Sequence, residues 1–233
     1  MSPLVIPLLN PPLRLARIDA GIAQKAGLST QIGEILNHDG IGTFADVALS
    51  EAGIISSSRS LRGRLRRKPP TSSAEHLAGV DKIVAADRHR DLPQPSTNTQ
   101  MGFRITDAGT GERLLSEARA AGRLDALWIV AGELDLLSDL RGQSEMVHLI
   151  LSCAPASISG GAERLAAHLR TLDITGCLVP EADLTAGAVA LMHRFTRVAI
   201  ADGAEYERTV VRALHNGADG VVSPNLNALL VEV

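Results

Sequence analysis

Apolar residues along this chain fall into short blocks that alternate with longer stretches of helical spacing, and the alternation runs to the C-terminus. Blocks of three to six residues without polar alternation read as strands: residues 4–6, 32–36, 53–55, 82–85, 103–105, 126–130, 147–151, 176–179, 198–200 and 220–222. Apolar residues three and four apart predict helices over 13–26, 111–121, 133–141, 162–172, 185–195 and 206–216. Several of these stop at glycine, as at Gly27, Gly122 and Gly217, where a left-handed cap meets no side chain. Strands without polar positions are covered on both faces, which means a parallel sheet and an α/β fold class. Two architectures fit: a single TIM-type (β/α)8 barrel, typically about 250 residues, or two doubly wound lobes. In the barrel, right-handed crossovers place the strands beginning near Ala126, Val147, Gly176, Val198 and Gly220 side by side in sequence order.

Composition narrows the classes. At 233 residues, 45% hydrophobic and 21% charged, the chain is long enough for one full core, and residues 1–233 read as a single domain. The stretch 56–100 differs, being rich in proline and serine and carrying a basic run of Arg59, Arg62, Arg64, Arg66, Arg67 and Lys68. It is expected to be an irregular, exposed excursion. No apolar run reaches the roughly 18 residues of a membrane span, and no basic segment precedes the first apolar residues, so the expectation is a cytoplasmic protein. Cys153 and Cys177 are too few for a disulfide framework or a zinc cluster and read as reduced core residues. A net charge of -3 gives no global attraction to nucleic acid. Phe44, Phe103, Phe195, Trp128 and Tyr206 are too few for base-stacking platforms or an aromatic box around a quaternary amine.

The last third carries a resemblance. Leu178-Val179-Pro180-Glu181-Ala182-Asp183-Leu184-Thr185, then Val189-Ala190-Leu191-Met192-His193, Val198-Ala199-Ile200, and finally Ala213-Leu214-His215-Asn216-Gly217-Ala218-Asp219-Gly220-Val221-Val222-Ser223-Pro224 follow in order. Together they resemble the closing strands of the glycerophosphodiester phosphodiesterase family. Trp128-Ile129-Val130 with Leu134, Leu137, Leu140 and Arg141 is similar to the family's strand and following helix, and Thr71 to Leu77 to an earlier segment, so the likeness covers about 70–233. It implies a TIM barrel. Family members begin with a strand ending in His-Arg-Gly, then Glu-Asn, Glu-x-Asp and His-Asp, and later a Glu-x-Lys strand. Their histidines do acid-base work and their carboxylates hold a divalent metal. Set against that pattern, Val5-Ile6-Pro7-Leu8-Leu9-Asn10 as first strand offers neither His nor Arg, Glu34 retains one carboxylate, and Asp39-Gly40 matches a short turn. Ala45-Asp46 takes the place of His-Asp, and Arg104 falls where a metal-binding carboxylate is expected.

Glu34, Asp46, Arg104, Asp107 and Asp202 lie at or just after the C-terminal ends of predicted strands, where barrel active sites form. They are the candidate ligand-binding residues; no catalytic residue is assigned. The leading expectation is a phosphodiesterase-like barrel without the family's catalytic set, needing no cofactor and binding a phosphorylated small molecule or a partner. The alternative is an active metal-dependent phosphodiesterase using Glu34, His38 and Asp46 with Mg or Ca. A further alternative is a two-lobed, repressor-like sugar-binding module, echoed by Asn10-Pro11-Pro12, by Ala85-Ala86-Asp87-Arg88 and by a helix-turn-helix reading that starts at Phe44.

Overall fold

Each apolar block of the C-terminal half pairs with the next block in the chain, because a right-handed helical crossover brings it back alongside. The computed structural model describes residues 8–9, 11–17, 38, 40–50, 53–56, 99–154 and 161–231, with 48–50 and 53–56 as backbone. Its strands are β1 (Leu13–Arg17), β2 (Ile41–Ser50), β3 (Gly53–Ser56), β4 (Met101–Arg104), β5 (Leu127–Ala131), β6 (His148–Ser152), β7 (Gly176–Pro180), β8 (Val198–Asp202) and β9 (Gly220–Ser223). The helices are α1 (Ala108–Ala120), α2 (Leu134–Arg141), α3 (Gly161–Thr171), α4 (Ala186–Arg194), α5 (Glu207–His215) and α6 (Leu226–Leu229). All strands but β3 are parallel and close as β1-β2-β4-β5-β6-β7-β8-β9, with β9 returning to β1. This is a single TIM-type (β/α)8 barrel, and the run from β5 to β9 has the expected order. One closed sheet excludes the two-lobed module. β3 pairs antiparallel with the far half of β2, Val47 opposite Ser56 and Ser50 opposite Gly53, a hairpin that continues β2 past its rung with Arg104.

The barrel interior is built in layers from alternate strands. Register places Phe44, Val130, Leu178 and Val222 in one layer, and Leu15, Gly102, Ile150 and Ile200 in the next toward the N-terminal end. The layer below combines Trp128 with Gly42, Gly176 and Gly220. Three glycines leave the volume that one indole fills. A Cβ at Gly176 would lie 2.1 Å from the Val198 carbonyl oxygen, and one at Gly220 2.7 Å from that of Leu13, so side chains there would push the strands apart. His148 stacks on Trp128 with ring centroids 4.1 Å apart, and the indole Nε1 donates to Gln100 Oε1 at 2.6 Å. Outside the sheet, the helices lay their apolar faces on a second, larger core.

Asp219, fully buried at the start of β9, ties this floor together. Its Oδ1 accepts from the backbone N–H of Leu8 and Leu9, and its Oδ2 from Ala199 N–H at 2.7 Å and His193 Nε2 at 2.8 Å.

The N-terminal elements differ from their sequence reading. A helix predicted over 13–26 begins instead as strand β1. Leu13 and Leu15 alternate inward with period two, while Arg14 reaches the Leu229 carbonyl at 2.8 Å. β2 carries no uninterrupted apolar block because Gly42, Thr43 and Asp46 lie within it. Phe44 to Ala48 are strand, which removes the helix-turn-helix reading. Predicted strands 4–6, 32–36 and 82–85, the basic run and nearly all of the 56–100 excursion lie outside the described residues.

Candidate functional site at the barrel mouth

The inward row of each strand continues to the C-terminal end, and there it becomes charged. Arg17 on β1, Arg104 on β4, Ser152 on β6 and Asp202 on β8 form one layer from alternate strands, directly above the layer of Phe44. Asp202 bridges the two arginines: Arg17 Nη2 donates to Oδ1 and Arg104 Nη2 to Oδ2, each at 2.7 Å. On its other side Arg104 Nη1 lies 3.6 Å from Asp46 Oδ1. Both guanidiniums lie over the buried Phe44 ring, 5.2 and 5.5 Å from its centroid, so the apolar core ends in a cationic lid of its own. The result is an Arg–Asp–Arg–Asp chain of no net charge. It is half-buried, which raises its cost relative to a solvated ion pair, and it is incompletely satisfied: Arg17 Nε, Arg104 Nε and Asp46 Oδ1 are buried without a hydrogen bond.

Beside Arg104 opens a cleft of about 280 Å³, lined also by Thr106, Gly132, Glu133, Leu136 and Ser152. Glu133 is exposed at the N-terminus of α2, and its side chain does not cap that helix. Cys153, just past β6, has its thiol pushed up to about 11 by burial, and burial also raises that of Cys177 well above its ordinary value; neither is a ready nucleophile, in keeping with core cysteines.

The described donors at the mouth do not by themselves make a divalent cation site. Among the described residues there is no group of three His, Cys, Asp or Glu side chains placed to hold one. The two carboxylates that do converge, Asp46 and Asp202, face each other across Arg104, whose guanidinium already supplies their countercharge. A hard dication wants six or more oxygens and no cation beside it.

The sequence candidates divide accordingly. Asp46, Arg104 and Asp202 come together. Asp107 stands aside as the N-cap of α1, its carboxylate accepting from Thr110 N–H at 2.8 Å and Thr110 Oγ1 at 2.7 Å. His38 precedes β2 at the N-terminal end of the barrel, opposite the mouth, so it is not a base for this site. Glu34 lies outside the described residues. Arg17 was missed, because residues 13–26 look helical and the true end of the first strand was not visible. Thr106, Gly132, Glu133 and Ser152 were missed because only register shows which strand-end residues share a cleft.

No family model and no curated protein sequence matches this chain. Solved structures do. A protein of Galdieria sulphuraria provisionally named a glycerophosphodiester phosphodiesterase superposes with a TM-score of 0.69 at 13% identity, covering 98% of both chains. The fold is that of glycerophosphodiester phosphodiesterases. One from Parabacteroides distasonis gives 0.66 at 9% identity over 94% of this chain and 96% of that one. An Oleispira antarctica phosphodiesterase, solved with its product sn-glycerol-3-phosphate, gives 0.63 at 12% identity over 93% and 95%. The coordinates also correct the motif placement. The first barrel strand is Leu13–Arg17 rather than the expected 4–6, and it ends in Ala16-Arg17 followed by Ile18, so neither the histidine nor the glycine of a His-Arg-Gly ending is present. Phe44-Ala45-Asp46 lies on β2, the strand paired with both β1 and β4.

Proposed function

We propose that this protein is a glycerophosphodiester phosphodiesterase-like barrel that binds a phosphate-bearing small molecule at its mouth without hydrolysing it and without a divalent metal. The observation that carries this reading is Arg104, whose guanidinium sits between Asp202 at 2.7 Å and Asp46 at 3.6 Å, where the family resemblance expects a metal-binding carboxylate. An arginine there presents forked N–H donors to phosphate oxygens, but it activates no water and offers no base. The ending of the first strand in Ala16-Arg17, without the histidine of the motif, removes a further group. Each acid-base group is worth roughly 10²- to 10⁴-fold in rate. A cytoplasmic setting belongs to the same proposal; among the described residues no helix is long and apolar enough to cross a membrane.

The test is glycerol-3-phosphate release from glycerophosphocholine with added magnesium or calcium, run beside calorimetric binding of glycerol-3-phosphate in EDTA. Expected are no release above the enzyme-free control and binding that EDTA does not change. Turnover near about one per second, abolished by Glu34→Ala, overturns the reading in favour of an active phosphodiesterase.

A further inference from the structure

Resting on that reading, we infer that the ligand is a zwitterion, a phosphate ester carrying a primary or secondary amine, with its phosphate on the arginines and its ammonium on Glu133. The reasoning starts from charge. Among the described side chains of the mouth, Arg17 and Arg104 are already paired with Asp46 and Asp202, so a phosphate that draws on these arginines must displace carboxylates from them. A ligand that carries an ammonium along with its phosphate brings a cation of its own and offsets part of that displacement, although its phosphate is close to a dianion at neutral pH.

The cleft beside Arg104 has matching polarity. Arg104 forms one wall, while Glu133 is the acidic residue among its lining side chains. Val130 pairs with Arg104 across the sheet, and Glu133 follows three residues later, past the bend at Gly132, on the lining of the same cleft. Both residues line one cleft of about 280 Å³, which sets the scale of the linker between phosphate and amine. Glu133 makes no ion pair or hydrogen bond among the described residues, so its carboxylate is not committed to the fold. Thr106 and Ser152 add hydroxyls, and Leu136 adds the apolar wall that a two- or three-carbon linker needs. Among the described residues no aromatic side chain lines the cleft, which favours a hydrogen-bonding ammonium over a quaternary one. The volume of about 280 Å³ admits only a small molecule.

Calorimetry on the full-length protein with glycerol-3-phosphate, phosphoethanolamine and phosphocholine separates the claims. Expected is phosphoethanolamine binding about tenfold or more tighter than the other two, the size of one charge-assisted hydrogen bond. Glu133→Gln should collapse that ratio to within about twofold. Gly132→Val serves as a steric control: a Cβ at Gly132 meets no protein atom within 4 Å, so the fold tolerates it, and it should abolish phosphoethanolamine binding with an unchanged melting temperature. Equal affinities for glycerol-3-phosphate and phosphoethanolamine overturn the zwitterion while leaving phosphate binding intact. A ratio that survives Glu133→Gln overturns the assignment of the ammonium site. Failure of all three probes to bind overturns both this inference and the proposed function.

Discussion

The two ends of this barrel spend their polar groups differently. At the floor, the buried Asp219 carboxylate takes four donors, the Trp128 N–H has its acceptor, His148 is stacked on the indole and bonded to the Asp125 carbonyl at 3.1 Å, and Arg123 Nε is the one charged-group atom there left buried without a partner among the described residues. At the mouth, four charged side chains share few bonds, and three of their buried polar atoms have none. A satisfied polar network rigidifies, whereas an incompletely satisfied one costs stability and retains capacity for something else. The floor therefore holds the fold, and the mouth is where a ligand gains by completing the set. In a TIM barrel that is also the end where sites are built.

Mutations that treat the ends alike should give opposite results. The largest loss of stability is expected from Asp219→Ala, which leaves the N–H groups of Leu8, Leu9 and Ala199 and the His193 ring without their acceptor: about 3–5 kcal/mol in urea unfolding. A loss under about 1 kcal/mol would mean that the floor is not the anchor described. Arg104→Gln at the mouth should cost about 1 kcal/mol or less, because Asp202 keeps Arg17, yet weaken phosphoethanolamine binding at least about tenfold. Arg104→Glu sharpens the contrast further. It puts a third carboxylate beside Asp46 and Asp202 and removes the guanidinium between them, leaving Arg17 on Asp202, so millimolar manganese should raise the melting temperature of this variant by a few degrees and leave that of the parent unchanged.

The smallest effect concerns pH at the floor. Burial lowers the His148 pKa below its ordinary 6.5, with the Asp125 carbonyl hydrogen bond opposing. A base whose folded pKa is depressed favours the folded state fully above its unfolded pKa. That contribution is lost as pH falls from about 6.5 toward the folded value, because the unfolded chain then binds more protons. His148→Phe keeps a ring on Trp128 and removes the proton, so its unfolding midpoint should be flatter between pH 6.5 and 5.

How far the sequence reached depended on what each strand carries. β5 to β9 were legible because their blocks are apolar on both faces and helices of regular length separate them. β1 and β2 were not. An arginine on each side of Leu15-Ala16 mimics helical spacing, and β2 is interrupted by the glycine and threonine that fit its crowded neighbours and by an aspartate turned to the mouth. The same cause limited the site. Asp46, Arg104 and Asp202 could be suspected from their place at strand ends, whereas Arg17 needed the true end of β1. The neutral pairing of all four needed the stagger between strands, which no single segment encodes. Asp107 and His38 show the converse: residues of the right chemistry near strand ends, one spent on a helix cap and the other placed at the wrong end.

The single tryptophan of the chain, Trp128, lies in the floor, with two apolar layers, the upper one containing Phe44, between it and the charged rim. Its emission should therefore be a one-sided optical reporter. Loading the rim with ligand should leave the spectrum nearly dark to the event, while unfolding, which strips the indole of its glycine-lined niche and its imidazole neighbour, should shift it fully to the red. A titration followed by tryptophan fluorescence alone would score a genuine binder as inert.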